Sequence, residues 1–217
     1  MLHRLVLCSA VYRQPSHLRE DAFEMDPENR LLWRFPLRRL DAEALRDAML
    51  AVSGELDRHI SGPYVPTQRL PEGHVEVDEK RPDARRRSVY LQQRRTQVAT
   101  LLEVFDAPSV VANCTFRNTS TVPLQSLALM NSGFAMARAQ AFAQRLQREA
   151  GTDTEARIRL AFRWTCGRGS VAQESAASRR FLSAEQQHAA LENSDNEQAW
   201  ANFCQMLFAS NGFLYVE

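Results

Sequence analysis

Two acidic side chains one helical turn apart are the first candidates for acid–base chemistry in this sequence. Glu43 and Asp47 stand at i and i+4, which lie on one face of a helix, and His3 is a third group that could exchange a proton near neutral pH. If the two carboxylates were buried together, one could act as a general acid and the other as a general base. Pairing of each carboxylate with an arginine at the surface is the alternative.

Motifs that would identify a reaction are missing from the sequence. It contains no Gly-rich phosphate loop, no G-x-S-x-G turn and no H-x-x-x-H or H-E-x-x-H pair. Its four cysteines lack C-x-x-C spacing, so neither a zinc cluster nor a haem-attachment site is predicted. We therefore expect no cofactor in this chain.

The charges are balanced along the chain. The 217 residues carry 27 basic and 26 acidic side chains, which argues against nucleic acid as a partner. No apolar run approaches the ~20 residues that cross a bilayer, so no membrane span is expected. Lys80 is the sole lysine, and arginine forms planar pairs with carboxylates. Many Arg–carboxylate pairs that hold loops are therefore expected.

Helical periodicity dominates the chain. An amphipathic core helix is predicted at the N-terminus, where Leu5, Cys8, Val11 and Tyr12 share a face and Pro15 ends the pattern. Further helices are predicted at Asp41–Gly54, Gln97–Phe105, after the capping box Thr152-x-x-Glu155, at about 172–190, and after the capping box Ser194-x-x-Glu197. In the last helix the apolar stripe contains Trp200, Phe203, Cys204, Leu207 and Phe208.

One of these segments has a mixed pattern. Residues 158–164 alternate like a strand, yet the capping box and the stripe Ile158, Ala161, Phe162 and Thr165 favour a helix.

The longest apolar-periodic segment spans Asn118 to Glu149. Its predicted apolar stripe contains Leu127, Met130, Phe134, Ala137, Ala141 and either Phe142 or Arg145, with Arg138, Gln144, Arg145 and Arg148 left to face water. The step Asn131-Ser132-Gly133 is predicted to bend or split this helix, because all three residue types are poor helix formers.

A small β element is predicted within a Pro-rich part of the chain. His74–Val77 and Ser88–Arg95 have strand-like composition and could pair with each other. The fold class is therefore mainly α, with a small two-stranded β element near residues 74–95. We expect a single helical domain over residues 1–217, which could divide into 1–110 and 111–217.

Several ordered stretches resemble one protein family. They are HRLVLCSAVYRQ (3–14), DPENRLLWRFPLRRLDAEALRDAMLAVSGELD (26–57), SVYLQQRR (88–95), FDAP (105–108), TVPLQSLALMN (121–131) and the C-terminal NFCQMLFASNGFLYVE. Together they resemble the C-terminal domain of unknown function of large exported planctomycete proteins that often carry a cytochrome-c-like haem domain. In that family a further helical portion precedes the His3 motif, so this chain is expected to be a C-terminal fragment.

The resemblance implies a mostly helical fold, an extracytoplasmic setting and a larger parent protein, in which any haem would belong to another domain. Polar or amphipathic residues of the matching stretches could form either an internal network or a ligand site. They are Arg13, Gln14, Trp33, Arg39, Arg46, Asp47, Tyr90, Arg94, Thr121 and Gln125. Burial in pairs would favour the network, and convergence in a polar cleft would favour the site.

Two functions from different classes remain open. The first is a non-catalytic binding or scaffold module of a multidomain exported protein, which engages a polysaccharide or another domain of its parent, such as a haem domain. The second is a hydrolase acting on glycans or their esters, with Asp47, Glu43 or His3 in acid–base roles. If the N-terminal helix is exposed, self-association through it is also expected.

Overall fold

A computed structural model of the chain describes residues 1–95, 97–108, 117, 119–191 and 196–216. The chain is mainly α-helical with a small antiparallel β element, which confirms the predicted fold class. Contacts divide it into two compact units, one formed by residues 1–39 with the C-terminal strand and the other by residues 40–214. The suggested division at residue 110 stays a prediction. Within the described ranges, no helix is both long and apolar enough to span a membrane.

The described residues form ten α-helices, one short 3-10 helix and four two-residue strands. In chain order they are α1 (Leu2–Leu7), α2 (Glu20–Met25), β1 (Arg38–Arg39), α3 (Ala42–Ser53), β2 (Gln68–Arg69), β3 (Val75–Glu76), the 3-10 helix (Ser88–Tyr90), α4 (Thr100–Val104), α5 (Pro123–Asn131), α6 (Gly133–Ala150), α7 (Thr154–Cys166), α8 (Ala172–Leu191), α9 (Asn196–Phe208), α10 (Asn211–Leu214) and β4 (Tyr215–Val216). In the smaller unit, β1 pairs antiparallel with β4.

The N-terminal segment is not the core helix that its apolar residues predicted. Helix α1 ends at Leu7 and has no buried residue; Leu5, for example, is 72% exposed. The Ser9 hydroxyl donates to the carbonyl of Val6 and accepts from the amide of Tyr12. These local bonds replace helical backbone bonds, so the helix stops well before the proline.

The core of the larger unit is built around α6, which packs against α3, α5, α7 and α9. The ring of Phe142 on α6 stacks on Phe208 of α9 at a centroid distance of 5.7 Å, and Phe208 contacts Phe213 at 5.0 Å. All five residues of the stripe predicted for the last helix are buried, as expected. Ser194, which begins its predicted capping box, lies outside the described residues.

The predicted break in the central segment is confirmed, whereas the predicted apolar stripe is wrong for α5 and right only within α6, where its members are half-buried or buried. Ser132 has an extended backbone (φ −70°, ψ 125°) and separates α5 from α6. This break changes the angular phase of the second helix, so the spacing that begins at Leu127 does not continue into it. Leu127 and Met130 are exposed, whereas Arg138, which was expected to face water, is only 2% exposed.

Helix α7 forms where a helix was preferred to a strand. All four residues of its predicted stripe are buried. The capping residue differs from the prediction, however. The carboxylate of Asp153, rather than the side chain of Thr152, accepts the amides of Glu155 and Ala156 at 2.9 and 3.2 Å.

The β element of the larger unit pairs β3 with β2, with Arg69 opposite Val75. The strand predicted at Ser88–Arg95 is wrong, because the first part of that segment is a 3-10 helix at Ser88–Tyr90. The physical reason is a side-chain contact. Asp47 of α3 accepts hydrogen bonds from the amide and the hydroxyl of Ser88, and these bonds fix the segment against α3.

Candidate functional site

Arg46 connects α3 to the chain segment that precedes the 3-10 helix. Its side chain is 4% exposed and donates to the carbonyls of Arg86 at 2.9 Å and Ala84 at 2.8 Å. Burial lowers the pKa of Arg46 to about 10, and the carboxylates of Asp47 and Glu79 oppose that shift. Arg46 is therefore a cation at neutral pH, and two of its donors are used to hold backbone.

Asp47 completes the connection from the adjacent position. Its Oδ1 accepts from the amide and the hydroxyl of Ser88, both at 2.7 Å. Its carboxylate also lies 3.8 Å from Nη1 of Arg46 and 3.6 Å from Nε of Arg87. A carboxylate with these partners acts as an acceptor that positions the chain.

Arg86 extends the same cluster to the preceding loop. Its guanidinium lies 3.8 Å from the ring centroid of Tyr90, and it donates to the carbonyls of Pro63 (2.7 Å) and Ser61. The Tyr90 hydroxyl accepts from the amide of Ser61 at 2.9 Å. The loop at 61–63 is thus held by a stacked cation–π pair and three hydrogen bonds.

Arg138 joins α6 to the cluster from inside the protein. Its Nε lies 3.0 Å from Glu55 Oε2, and its Nη2 donates to Glu79 Oε2 at 2.8 Å. The guanidinium carbons of Arg138 and Arg46 both lie 5.1 Å from the ring centroid of Phe134. We call the connected residues Arg46, Asp47, Glu55, Glu79, Arg86, Ser88, Tyr90 and Arg138 the Arg46 network.

A pocket of about 610 Å³ lies beside this network, and Arg46 and Glu79 belong to both. We call it the β3 pocket. Its apolar lining consists of Leu70, Val75, Val77, Leu91, Ala99, Leu101, Leu102, Ala128 and Phe134. The other charged or titratable residues that line it are Glu72, His74 and Glu76. The α5–α6 break at residues 131–133 contributes a further part of the wall. The arrangement suits an apolar group with a positively charged neighbour.

Comparison with protein families shows which family the chain belongs to. Residues 1–182 match the PSD1 family, described as a protein of unknown function (DUF1553). This chain belongs to the PSD1 family. The match includes the whole Arg46 network and the whole lining of the β3 pocket. No curated protein and no solved structure matches the chain.

Of the ten residues nominated in this PSD1-family sequence, Arg46, Asp47 and Tyr90 lie in the Arg46 network. Gln125 belongs to a different cluster, where its amide donates to the carbonyls of Val104 and Ser120, each at 3.1 Å. Thr121 is exposed before α5. Arg94 contacts the side chain of Gln97 at 3.4 Å. These three residues therefore do not line the β3 pocket.

The other four nominated residues belong to the smaller unit. Gln14 donates to the carbonyl of Leu32 at 2.6 Å, and the indole of Trp33 donates to the carbonyl of Asp26 at 2.8 Å. Arg34 lies 5.1 Å from the centroid of the half-buried Trp33 ring. Arg39 is buried in β1 and Arg13 is exposed. The contacts of Gln14 and Trp33 hold the irregular chain on both sides of α2.

The candidate acid–base residues are held in separate contacts. Burial raises the pKa of Glu43, but its hydrogen bonds to Arg117 and the charge of Arg117 outweigh burial, so the net pKa is lowered. The two residues form a bidentate pair at 2.8 and 3.0 Å. Glu43 is therefore ionised at neutral pH, and Asp47 is bonded to Ser88. His3 is exposed on α1 in the smaller unit.

Sequence reasoning missed five members of the Arg46 network. They are Glu55, Glu79, Arg86, Ser88 and Arg138. One signal for Arg138 was present, because alanines at 135, 137 and 139 surround it and allow a neighbouring element to approach closely.

Among the residues that the structure describes, no group of three or more His, Cys, Asp or Glu side chains could hold a metal ion. Cys8, Cys166 and Cys204 are free thiols.

Proposed function

We propose that this PSD1-family chain is a non-catalytic binding module whose β3 pocket receives an apolar side chain from another domain of its parent protein. The observation that carries the proposal is the pocket of about 610 Å³, whose described lining is mostly apolar and includes three glutamates, one arginine and a histidine. Such a lining favours an apolar group flanked by basic residues, because the glutamates then face opposite charges.

The Arg46 network supports this proposal by giving the pocket a fixed wall. Arg46 donates to two backbone carbonyls, and Nη2 of Arg138 donates to the carboxylate of Glu79. A wall whose side chains are already positioned loses little conformational entropy when a ligand binds. The network is then a structural support, and the pocket beside it is the surface that is free to bind.

The hydrolase alternative receives less support from the same contacts. A glycosidase needs one carboxyl group that stays protonated and a second that is ionised, both close to the scissile bond. Glu43 has a lowered pKa beside Arg117, and Asp47 accepts two hydrogen bonds from Ser88. Neither residue lines the β3 pocket. A binding role accounts for these residues with fewer assumptions.

The cellular setting is proposed from the resemblance of the sequence to exported planctomycete proteins. We propose an extracytoplasmic location and a parent protein whose haem, where present, belongs to a different domain. Fractionation of the native host would test the location, and a purely cytoplasmic signal would contradict it. Titration with haem would test the cofactor assignment, since a saturable Soret shift with this chain alone would argue against it.

Peptide binding tests the pocket directly. A short labelled peptide with a central leucine between arginines should bind the chain in fluorescence anisotropy, and the same peptide with glutamates should bind at least about tenfold more weakly. Equal binding of the two peptides, or binding of neither, would contradict the proposal. A polysaccharide that raises the melting temperature and competes with the peptide would replace the partner domain as the ligand.

A matched pair of variants locates the binding. Ala128 lines the β3 pocket, and Ala128→Trp should fill it and abolish binding of the basic peptide. Leu127 is the neighbouring exposed residue of α5 and does not line the pocket, so Leu127→Trp is the control that should leave binding unchanged. The opposite ranking of the two variants would place the peptide on the exposed surface of α5.

A further inference from the structure

A second cavity lies in the larger unit, away from the β3 pocket. It has a volume of about 620 Å³ and is lined by residues of α6, α7, α8 and α9, none of which lines the β3 pocket. This volume is within the range of about 300–1,000 Å³ that small-molecule sites occupy. We call it the glutamine cleft, because its α6 wall consists of Gln140, Gln144 and Gln147 together with one alanine.

Arg157 lines this cleft and differs from the other buried arginines. It is 9% exposed, its Nε donates to the carbonyl of Gly151, and its guanidinium lies 5.1 Å from the ring centroid of Trp200. Within the described ranges, its two Nη groups make no hydrogen bond and no carboxylate forms an ion pair with it. Burial lowers its pKa, with no neighbouring charge that opposes the shift.

The contrast with Arg46 and Arg138 makes this arrangement informative. Arg46 donates to backbone carbonyls and Arg138 pairs with two glutamates, so both have partners inside the protein. The two Nη groups of Arg157 have no such partner and are not sealed from solvent, so their N–H donors are available to a ligand in the cleft. Because arginine presents a planar fork of N–H donors, a carboxylate is a natural partner for the two Nη groups of Arg157.

The α6 wall of the cleft specifies the rest of the ligand. The three glutamines stand at i, i+4 and i+7, so their side chains share one face of α6, and all three are exposed. None of them makes a hydrogen bond to another residue that the structure describes. A carboxamide both donates and accepts, as a hydroxyl group does, so this row matches a ligand that carries several hydroxyl groups.

We propose that the glutamine cleft binds a small polyhydroxylated carboxylate, with its carboxylate on Arg157 and its hydroxyl groups on the glutamines of α6. Glu197 also lines the cleft and would accept from a ligand hydroxyl. Among the lining residues that the structure describes, one arginine and one glutamate balance each other, which suits a monoanion better than a phosphate dianion. This proposal does not depend on the function proposed for the β3 pocket.

Isothermal titration of the full chain with glucuronate, glucose and inorganic phosphate tests the inference. Glucuronate should bind saturably, and glucose, which lacks the carboxylate, should bind at least about tenfold more weakly. Phosphate that binds more tightly than glucuronate would overturn the proposal in favour of a simple anion site. Equal binding of glucose and glucuronate, or no saturable binding of either, would also overturn it.

Two variants and a control assign the binding to the cleft. Arg157→Gln should weaken glucuronate binding about tenfold or more, because it removes the charged hydrogen bonds. Arg159→Gln changes an exposed arginine of the same helix and should leave binding unchanged. Gln144→Ala alters an exposed side chain that the fold does not need, so its weaker binding would support the site even if Arg157→Gln unfolds. Unchanged binding in Gln144→Ala and a folded Arg157→Gln would refute the assignment.

Discussion

At the scale of single residues, buried arginines hold the irregular chain between α3 and α6. Arg46 reaches two backbone carbonyls, and Arg138 reaches Glu55 and Glu79. A buried cation with partners contributes modestly when intact, but removing it leaves its partners without a counter-charge. The consequences of single substitutions should therefore be large at these positions and small at exposed arginines on the same helices.

Arg138→Met provides the first test at this scale. It leaves Glu55 and Glu79 without their partner, and these carboxylates are 22% and 34% exposed, so water compensates in part. We expect a loss of about 2–4 kcal/mol in the free energy of unfolding, measured by urea denaturation. Arg148→Met, at an exposed position of α6, should change stability by about 0.5 kcal/mol at most. A loss of stability in Arg138→Met that is as small as the loss in Arg148→Met would show that Arg138 has no structural role.

Asp47 and Ser88 allow a double-mutant cycle. Asp47→Ala removes the acceptor of both the Ser88 amide and its hydroxyl, whereas Ser88→Ala removes the hydroxyl alone. Asp47→Ala should therefore destabilise more, by about 1–3 kcal/mol, and the coupling energy should be at least about 0.5 kcal/mol. Additive effects of the two substitutions would indicate that the bond contributes nothing to stability.

The pair of Glu43 and Arg117 predicts a dependence of stability on pH. The pKa of Glu43 in the folded state lies below its ordinary value of 4.5, so its ionised form favours folding. This contribution is present above the unfolded-state pKa and is lost as pH falls through the folded-state pKa. Glu43→Gln should cost about 0.5–1 kcal/mol at pH 7 and progressively less below pH 4.5.

The partner residue provides the control for that measurement. Arg117→Gln should reproduce the loss at pH 7, and the double variant should add little to either single variant. A difference between wild type and Glu43→Gln that stays constant from pH 7 to pH 3 would contradict the assignment.

At the scale of elements, the end of α3 is shaped by one glycine and one arginine. Gly54 follows the helix with a left-handed backbone (φ 81°), and its amide and that of Glu55 close the last turn on the carbonyls of Ala51 and Leu50. Arg145 of α6 donates to the carbonyls of Ala51 and Val52 at 3.0 and 2.9 Å. The helix end is thereby fixed against α6, which also carries the buried Arg138.

Two glycine-to-alanine substitutions should act in opposite directions. At Gly54 the backbone is left-handed, and an added Cβ would lie 3.0 Å from Arg145 Cδ, so Gly54→Ala should destabilise by about 1–2 kcal/mol. At Gly133, the first residue of α6, an added Cβ meets no atom within 4 Å. Gly133→Ala should therefore raise stability by about 0.4–1 kcal/mol. Thermal denaturation of both variants checks the pair, and equal destabilisation would show that the α5–α6 break requires glycine.

At the scale of the whole molecule, the exposed apolar residues near the N-terminus predict self-association. Leu2, Leu5, Val11 and Tyr12 are 70%, 72%, 65% and 56% exposed. Apolar surface of this kind is usually covered by another chain or domain. Light scattering should show a mass that increases with concentration, and Leu5→Glu should reduce the increase. Leu124→Glu, at an exposed leucine of α5, should have no such effect. A monodisperse monomer at all concentrations would contradict the prediction.

Local patterns in the sequence were sufficient for most helices. The stripe from Trp200 to Phe208, the helix that begins near Thr154 and the break at Ser132 all follow from spacing and residue type within one or two turns. These signals are short-range, because hydrogen bonds four residues apart and the conformational preferences of individual residues generate them. The mainly α fold class was predictable for the same reason.

Long-range contacts decided what the sequence could not. Arg138 and Arg148 look alike in sequence, yet the first is buried with two glutamates and the second is exposed. The 3-10 helix at Ser88 replaces a predicted strand because Asp47, 41 residues earlier, holds it. Neither the β3 pocket nor the glutamine cleft could be predicted from the sequence, since each is lined by residues that lie far apart along the chain. Helices were thus determined by local periodicity, whereas the identity of the buried charges was decided by which helices pack together.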